Sequence, residues 1–170
     1  GRFTLEGSRP ANAVYLHSNL NIFGVRGYEI LVDRSIRTAR FMGRRIERSR
    51  GWFEIIARPK TNILLYRCVP PSLRGKGPGE LTEEDRATLD RLNVELQTRQ
   101  TLRGRTFVSR TAIRSPLHGP DHVVALRVVI ANPLTFEADV DRVLRDQAQI
   151  LGEILGLEKE NMGEMPEFMR

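Results

Sequence analysis

The sequence predicts an α+β fold, in which a four-stranded, mostly antiparallel sheet has its helices packed on one face. Apolar residues recur every three or four positions in four long segments, which is typical of helices. Four short runs rich in β-branched or aromatic residues lie between glycine- and proline-containing turns and indicate strands. The order is two helices, two strands, one helix, two strands and one helix, and 170 residues suffice for a packed core.

The first two predicted helices lie on either side of Gly24. Ser8 can cap a helix at 10–23, Pro10 suits its first turn, and Gly24 can end it. The second helix is predicted over 28–49 because its apolar residues form one stripe. That stripe consists of Leu31, Val32, Ile36, Ala39, Met42 and Ile46.

The later elements follow from similar patterns. They are strands at 52–57 and 62–69, a loop at 70–80, a helix at 82–103, strands at 105–113 and 122–130, and a helix from about residue 135. The strand at 62–69 is apolar on both faces, so we expect it in the interior of the sheet. Residues 157–170 have no clear period and predict a frayed or disordered tail.

Composition limits the classes of function. The net charge of +6 and pI of about 10.2 suggest nucleic acid as a partner, but the basic residues are scattered along the chain. The denser run at 37–50 alternates with apolar residues at helical spacing and indicates a solvated helix face. No apolar run is long enough to cross a bilayer, so no membrane partner is expected. The single cysteine, Cys68, rules out an internal disulfide and predicts a cytoplasmic protein.

Most residues that could perform chemistry have a structural interpretation. His17, His118 and His122 lack the spacing of metal ligands, so no metal site is predicted. Cys68 lies on a strand that is predicted to be buried, where a thiol is usually inert. The run "RGKGPGE" lacks the spacing of a phosphate-binding loop. These residues alone do not compose a complete catalyst.

The segment "GSRP" is the exception. The free N–H groups at a helix N-terminus bind anions, and Gly7 lets the backbone approach a ligand closely. Ser8 adds a hydroxyl, and the planar guanidinium of Arg9 suits a carboxylate. The alternative is an ordinary capped helix in which Arg9 pairs with a carboxylate of the same fold.

Several segments together resemble a known family. They are "LEGSRPANAVYLHSNLNIFGVRGYEILVDRSI", "NILLYRCVP", "GRTFVSRTAI" and "LRVVIANPLTFEADVDRVL". In this order and spacing they resemble the C-terminal part of group II pyridoxal-phosphate-dependent amino-acid decarboxylases, especially bacterial aspartate 1-decarboxylases and glutamate decarboxylases. The resemblance covers about 3–155, without the loop at 70–80.

The resemblance implies a division of the chain. Residues 1–27 would be the end of the large-domain region with a connecting helix, and 28–156 the C-terminal small domain of a fold-type I enzyme. Residues 157–170 would be the tail. Pyridoxal 5'-phosphate would be the cofactor of the complete enzyme, an acidic amino acid (aspartate or glutamate) its substrate, and a homodimer its assembly.

The resemblance also implies roles for single residues. The Schiff-base lysine of the family follows a histidine upstream of the GSR segment, whereas Lys60, Lys76 and Lys159 all come after it. No catalytic residue is therefore expected in this chain, and an upstream cofactor-binding domain is an implied partner. Arg9 would bind the substrate carboxylate, with Gly7 and Ser8 near the cofactor phosphate.

Arg127 also matches a family arginine. We interpret it as structural, because an arginine within an apolar strand usually serves a buried ion pair.

Two other classes of function stay open at this point. A basic α+β module could bind nucleic acid, although its strands offer few aromatic residues for base stacking: Trp52, Phe53, Tyr66 and Phe107. A non-catalytic dimerisation or interaction module is the other alternative.

Overall fold

A computed structural model describes residues 10–115, 118, 122–157 and 165–169. Its helices and strands are α1 (Ala13–Glu47), β1 (Phe53–Ala57), β2 (Ile63–Cys68), α2 (Glu83–Arg103), β3 (Ser109–Arg114), β4 (His122–Val129) and α3 (Glu137–Leu155). Short 3-10 helices occur at Pro71–Leu73, Pro78–Glu80 and Glu167–Met169. The predicted α+β class and the predicted order from the first strand onward are confirmed, but the two helices predicted before that strand form one helix, α1.

The four strands form one sheet in the order β1-β2-β4-β3. Each neighbouring pair is antiparallel, with Glu54 opposite Arg67 and Leu65 opposite Arg127. The strand that is apolar on both faces, β2, lies between β1 and β4, so its predicted interior position is confirmed.

The largest apolar cluster lies between one face of the sheet and the helices. It includes Met42 and Ile46 of α1, Leu64 and Tyr66 of β2, and Leu126, Leu144 and Leu151 from later elements. A separate small cluster consists of Ile56, Val123 and Ala125, packed with Leu65 and Ile113. The members of this second cluster all come from strands, which agrees with helices on one face of the sheet.

Gly24 kinks α1 rather than ending it. Its backbone has φ 61° and ψ 179°, a conformation that side chains with a Cβ rarely adopt, and the helical pattern resumes directly afterwards. The predicted boundary between two helices is therefore a kink within one helix. Among the described helices, none combines the length and the apolar character that a membrane crossing requires.

The helix α2 shows why its ends could be predicted. The Thr82 side chain accepts a hydrogen bond from the Asp85 amide, and the Asp85 carboxylate accepts one from the Thr82 amide. Gly104 ends the helix in the left-handed conformation, with φ 69°.

Two segments without a helix or strand prediction contribute to the core. Leu73 and Leu81 are buried with Val69 and Leu89, so the loop at 70–80 is anchored at both ends and contains two 3-10 turns. Met165 and Met169 are buried in the main cluster. The expectation of a frayed or disordered tail at 157–170 therefore needs correction for 165–169, because its apolar side chains fill the core.

Candidate functional site

The residues predicted to bind substrate and cofactor, Gly7, Ser8 and Arg9, lie outside the described residues. Helix α1 begins at Ala13, and Asn12 at its N-cap makes no capping hydrogen bond through its side chain. The roles of Gly7, Ser8 and Arg9 stay predictions.

The first part of α1 exposes an unusual amount of apolar surface. We call this the α1 apolar surface, and it consists of Val14, Tyr15, Leu16, Leu20, Ile22, Phe23 and Val25. Each of these side chains is exposed, Ile22 by 74%. Soluble proteins seldom leave so many large apolar residues together in water, and such patches commonly mark interfaces.

Arg127 occupies a different environment from the one that the sequence predicted. Its neighbours Leu126 and Val128 belong to the main core or pack against it, whereas Arg127 itself is exposed. Among the described residues it forms no ion pair, and its Nε donates a 3.3 Å hydrogen bond to Ser109 Oγ. The structural interpretation with a buried ion pair is therefore wrong, because alternation along β4 turns Arg127 away from the core.

A cavity of about 290 Å³ lies beside Arg127. Its lining includes Ser109 of β3, Thr135, and Val140 and Val143 of α3. The lining is mainly apolar, but it contains two charged groups, the Arg127 guanidinium and the Asp139 carboxylate. Arg127 pairs with no carboxylate among the described residues and can contact a ligand carboxylate, whereas Asp139 would repel one.

A largely buried polar cluster around His118 has no counterpart in the sequence predictions. His118 Nε2 lies 3.1 Å from Glu54 Oε1, and its Nδ1 lies 2.7 Å from Ser115 Oγ. Glu54 also accepts a 2.7 Å hydrogen bond from Nε of Arg67, whose side chain is only 1% exposed. These contacts join β1, β2 and the β3–β4 connection. His118 and Arg67 are buried and Glu54 is partly buried, and the visible role of these contacts is to hold Ser115 and His118 against the sheet.

No group of three or more His, Cys, Asp or Glu side chains within the described parts of the chain is arranged to hold a metal ion. Cys68 is fully buried, and burial raises the pKa of its thiol well above the usual range. Its backbone amide donates to Asn93 Oδ1 at 2.8 Å. The predicted burial of Cys68 is confirmed, and its lack of reactivity stays a prediction.

A lysine that anchors pyridoxal phosphate needs a sheltered amine that can lose its proton. Lys60 is exposed in the β1–β2 turn. Lys76 is also exposed, and its Nζ forms an ion pair with Asp85 Oδ2 at 3.0 Å. Lys159 lies outside the described residues. Lys60 and Lys76 therefore do not fit covalent attachment of the cofactor.

No protein-family model matches the chain. The aspartate 1-decarboxylase of Aliivibrio fischeri is 35% identical over 153 residues, which cover 88% of this chain and 28% of that protein. The cysteine sulfinic acid decarboxylase of Mus musculus is 27% identical over 132 residues, which cover 78% of this chain and 24% of that protein. The chain thus spans about a quarter of the length of these relatives.

Solved structures agree on the fold. The crystal structure of mouse CSAD in apo form has a TM-score of 0.72 at 23% identity, covering 86% of this chain and 29% of that chain. Oryza sativa TDC with PLP and tryptamine has a TM-score of 0.67 at 18% identity, covering 88% of this chain and 28% of that chain. Both share the four-stranded domain with this chain.

Proposed function

Because the chain matches the C-terminal domain of the group II pyridoxal-phosphate-dependent amino-acid decarboxylases, we propose that its parent protein removes CO2 from aspartate or glutamate. The observation that carries this proposal is the 35% identity to an aspartate 1-decarboxylase over 88% of the chain. The second curated relative, a cysteine sulfinic acid decarboxylase, also acts on an acidic amino acid by its name, which supports this substrate class.

We propose that the Schiff-base lysine belongs to an upstream domain of the parent protein. Two observations support this. The relatives are about four times as long as the match, and neither Lys60 nor Lys76 suits an imine. The bound cofactor would supply the electron sink for decarboxylation. The present chain would contribute substrate binding and exclusion of water, and would be inactive alone.

Two arginines of this chain are candidates for binding a substrate carboxylate. Arg9 keeps this role on the family resemblance, with Gly7 and Ser8 near the cofactor phosphate. Arg127 is the candidate among the described residues, because its guanidinium is exposed beside a mainly apolar cavity and has the Ser109 hydroxyl as its hydrogen-bond partner. The Asp139 carboxylate also lines this cavity and would favour a substrate whose ammonium group lies on its side. A charged pair in a site closed by the upstream domain would orient the substrate.

The proposed division of the chain into 1–27 and 28–156 is supported by α1. Its kink at Gly24 and the α1 apolar surface both lie in the first of these segments. We propose that the upstream domain and a second subunit of a homodimer cover this surface. Residues 165–169 would belong with the small domain, because Met165 and Met169 are buried in its core. A cytoplasmic location is part of the same proposal.

The nucleic-acid alternative has less support. Base stacking needs exposed rings, but Trp52, Phe53 and Tyr66 are buried, which leaves Phe107 as the exposed member of the predicted platform. An interaction module without catalysis would also explain the α1 apolar surface. The complete reading frame distinguishes this interaction module from the enzyme, because a histidine–lysine pair upstream of residue 1 would support the enzyme.

The test is an activity assay of the complete polypeptide loaded with pyridoxal phosphate. Release of labelled CO2 is measured from aspartate, glutamate and cysteine sulfinate, with tryptophan as the control substrate. We expect turnover of at least one acidic substrate and little release from tryptophan. Preference for tryptophan, or no release by an enzyme with bound cofactor, would contradict the proposal.

A further inference from the structure

A basic groove lies between α1 and the β1–β2 hairpin, away from the residues discussed above. It has a volume of about 240 Å³ and is lined by Arg40, Gly43, Arg44, Glu47, Ile55, Arg58 and Pro59. Gly43 lies in its floor, where a Cβ would meet the Pro59 ring at 3.7 Å, an ordinary van der Waals contact. The three arginines are exposed. The groove thus combines an apolar floor with accessible guanidinium groups.

The charges around this groove are unbalanced. Arg58 pairs with Glu47, which neutralises both. Arg40 and Arg44 form no ion pair with a carboxylate among the described residues, although Arg44 lies over the Phe41 ring at 5.9 Å. They are separated by four positions on α1, where like charges repel each other. The negative end of the helix dipole favours Arg44 in the last turn, but Arg40 lies a full turn earlier.

We propose that this groove binds a phosphate group. A phosphate carries a charge of about −1.5 to −2 at pH 7, which matches the two uncompensated arginines. Guanidinium groups also present N–H donors in the planar arrangement that phosphate oxygens accept. A carboxylate offers only one negative charge and would leave one arginine unbalanced. The inference rests on α1 and the β1–β2 hairpin alone and is independent of the proposed decarboxylation.

The test uses the ¹⁵N-labelled 170-residue chain, titrated with inorganic phosphate at pH 7.5. Chloride keeps the ionic strength constant, and the backbone amide of Gly43 reports binding at the groove. We expect saturable shifts with a Kd on the order of 1 mM, because exposed ion pairs contribute little individually. Arg40→Gln and Arg44→Gln should each weaken binding about threefold to tenfold.

Arg37→Gln is the matched control. Arg37 is exposed on the same helix one turn before Arg40, but it pairs with Asp33 at 3.9 Å and does not line the groove. Its binding constant should equal that of the parent chain. Parallel titrations with glycerol 1-phosphate and acetate distinguish the ligand. Binding of both phosphates indicates a phosphoryl group on a larger molecule, and binding of inorganic phosphate alone indicates the free ion.

Three outcomes would overturn the proposal. They are linear shifts at Gly43 without saturation, acetate binding as tight as phosphate binding, and a loss in Arg37→Gln as large as that in Arg40→Gln. All three variants change exposed side chains, so folding is expected to be retained and is checked by the dispersion of the same amide spectra.

Discussion

The two parts of helix α1 differ in what their apolar side chains contact. Beyond the kink, Ala39, Met42 and Ile46 are buried in this chain's own core. All members of the α1 apolar surface except Val25 lie before it, and they are exposed to water. Val25, Ile30 and Val32, after the kink, are also exposed, so burial begins some turns after the kink. The pattern of apolar residues alone therefore does not show whether the apolar face of a helix is buried by its own chain or by a partner. The first part is therefore suited to a partner other than the described residues of this chain.

The largest effect on stability is expected from an isoleucine-to-alanine substitution, made once in each of the two parts of α1. Ile46 is 2% exposed and Ile22 is 74% exposed. Ile46→Ala should lower the free energy of unfolding by about 2–5 kcal/mol, because it removes buried methylene groups and leaves a cavity. Ile22→Ala should change it by less than about 0.5 kcal/mol. Urea unfolding of both variants measures this, and equal losses would show that Ile22 has a partner within the chain.

Substitution of Arg9, four residues before the start of α1, is expected to have the next largest effect. In the complete enzyme, Arg9→Lys keeps the charge and loses the bidentate geometry. The loss of transition-state stabilisation should be roughly 2–4 kcal/mol, or about 30- to 1000-fold in kcat/KM. Melting temperature and cofactor absorbance should be nearly unchanged.

The same measurements on Arg127→Lys show whether the second arginine shares this role. If Arg9→Lys melts at a lower temperature but keeps turnover within a few-fold of the parent, Arg9 is a structural arginine at the helix start. A large loss in Arg127→Lys alone would assign the carboxylate to Arg127.

Much of the fold could be predicted because its signals are local. Helix α2 has a capping box at one end and glycine at the other, and the strands were placed within a few residues. Met165 and Met169 were missed, because a short 3-10 segment has no helical or strand period to detect. The His118 cluster was missed because its partner Glu54 is 64 positions away in sequence.

The candidate site was harder to predict than the fold. Arg127 was assigned to a buried pair from the apolar character of its strand, although alternation with Leu126 and Val128 would have placed it on the exposed side. Nothing in one strand shows whether such an arginine meets a ligand or solvent. Gly7, Ser8 and Arg9 were selected by resemblance and lie outside the described residues.

Self-association of the isolated chain should be moderate and should depend on the first part of α1. The exposed apolar side chains favour association, so the mean mass in sedimentation should rise with protein concentration. Leu16→Glu with Ile22→Glu should reduce it, while Arg99→Glu on α2 serves as a surface control. A chain that stays monomeric at high concentration, with no binding of an apolar dye, would argue against an interface here.

The smallest effect on stability is expected in α2, whose buried residues Leu89, Leu92 and Leu96 pack within this chain. The Thr82 amide hydrogen bond, followed by Lys76, lowers the pKa of Asp85. A carboxyl with a lowered pKa stabilises the fold above its unfolded pKa, and this contribution disappears as the pH falls through the folded value. Asp85→Ala should therefore melt slightly lower at pH 6, and the difference should vanish in acid. An equal difference in acid would assign the effect to helix propensity.

The location of the cofactor lysine shows whether this chain is a domain that needs an upstream domain for catalysis. The complete polypeptide and the isolated 170-residue chain are each incubated with pyridoxal phosphate, reduced with borohydride and mapped by peptide mass. We expect one modified lysine in the complete polypeptide, upstream of residue 1, and no specific modification in the isolated chain. Stoichiometric modification of Lys60, Lys76 or Lys159 would contradict this expectation.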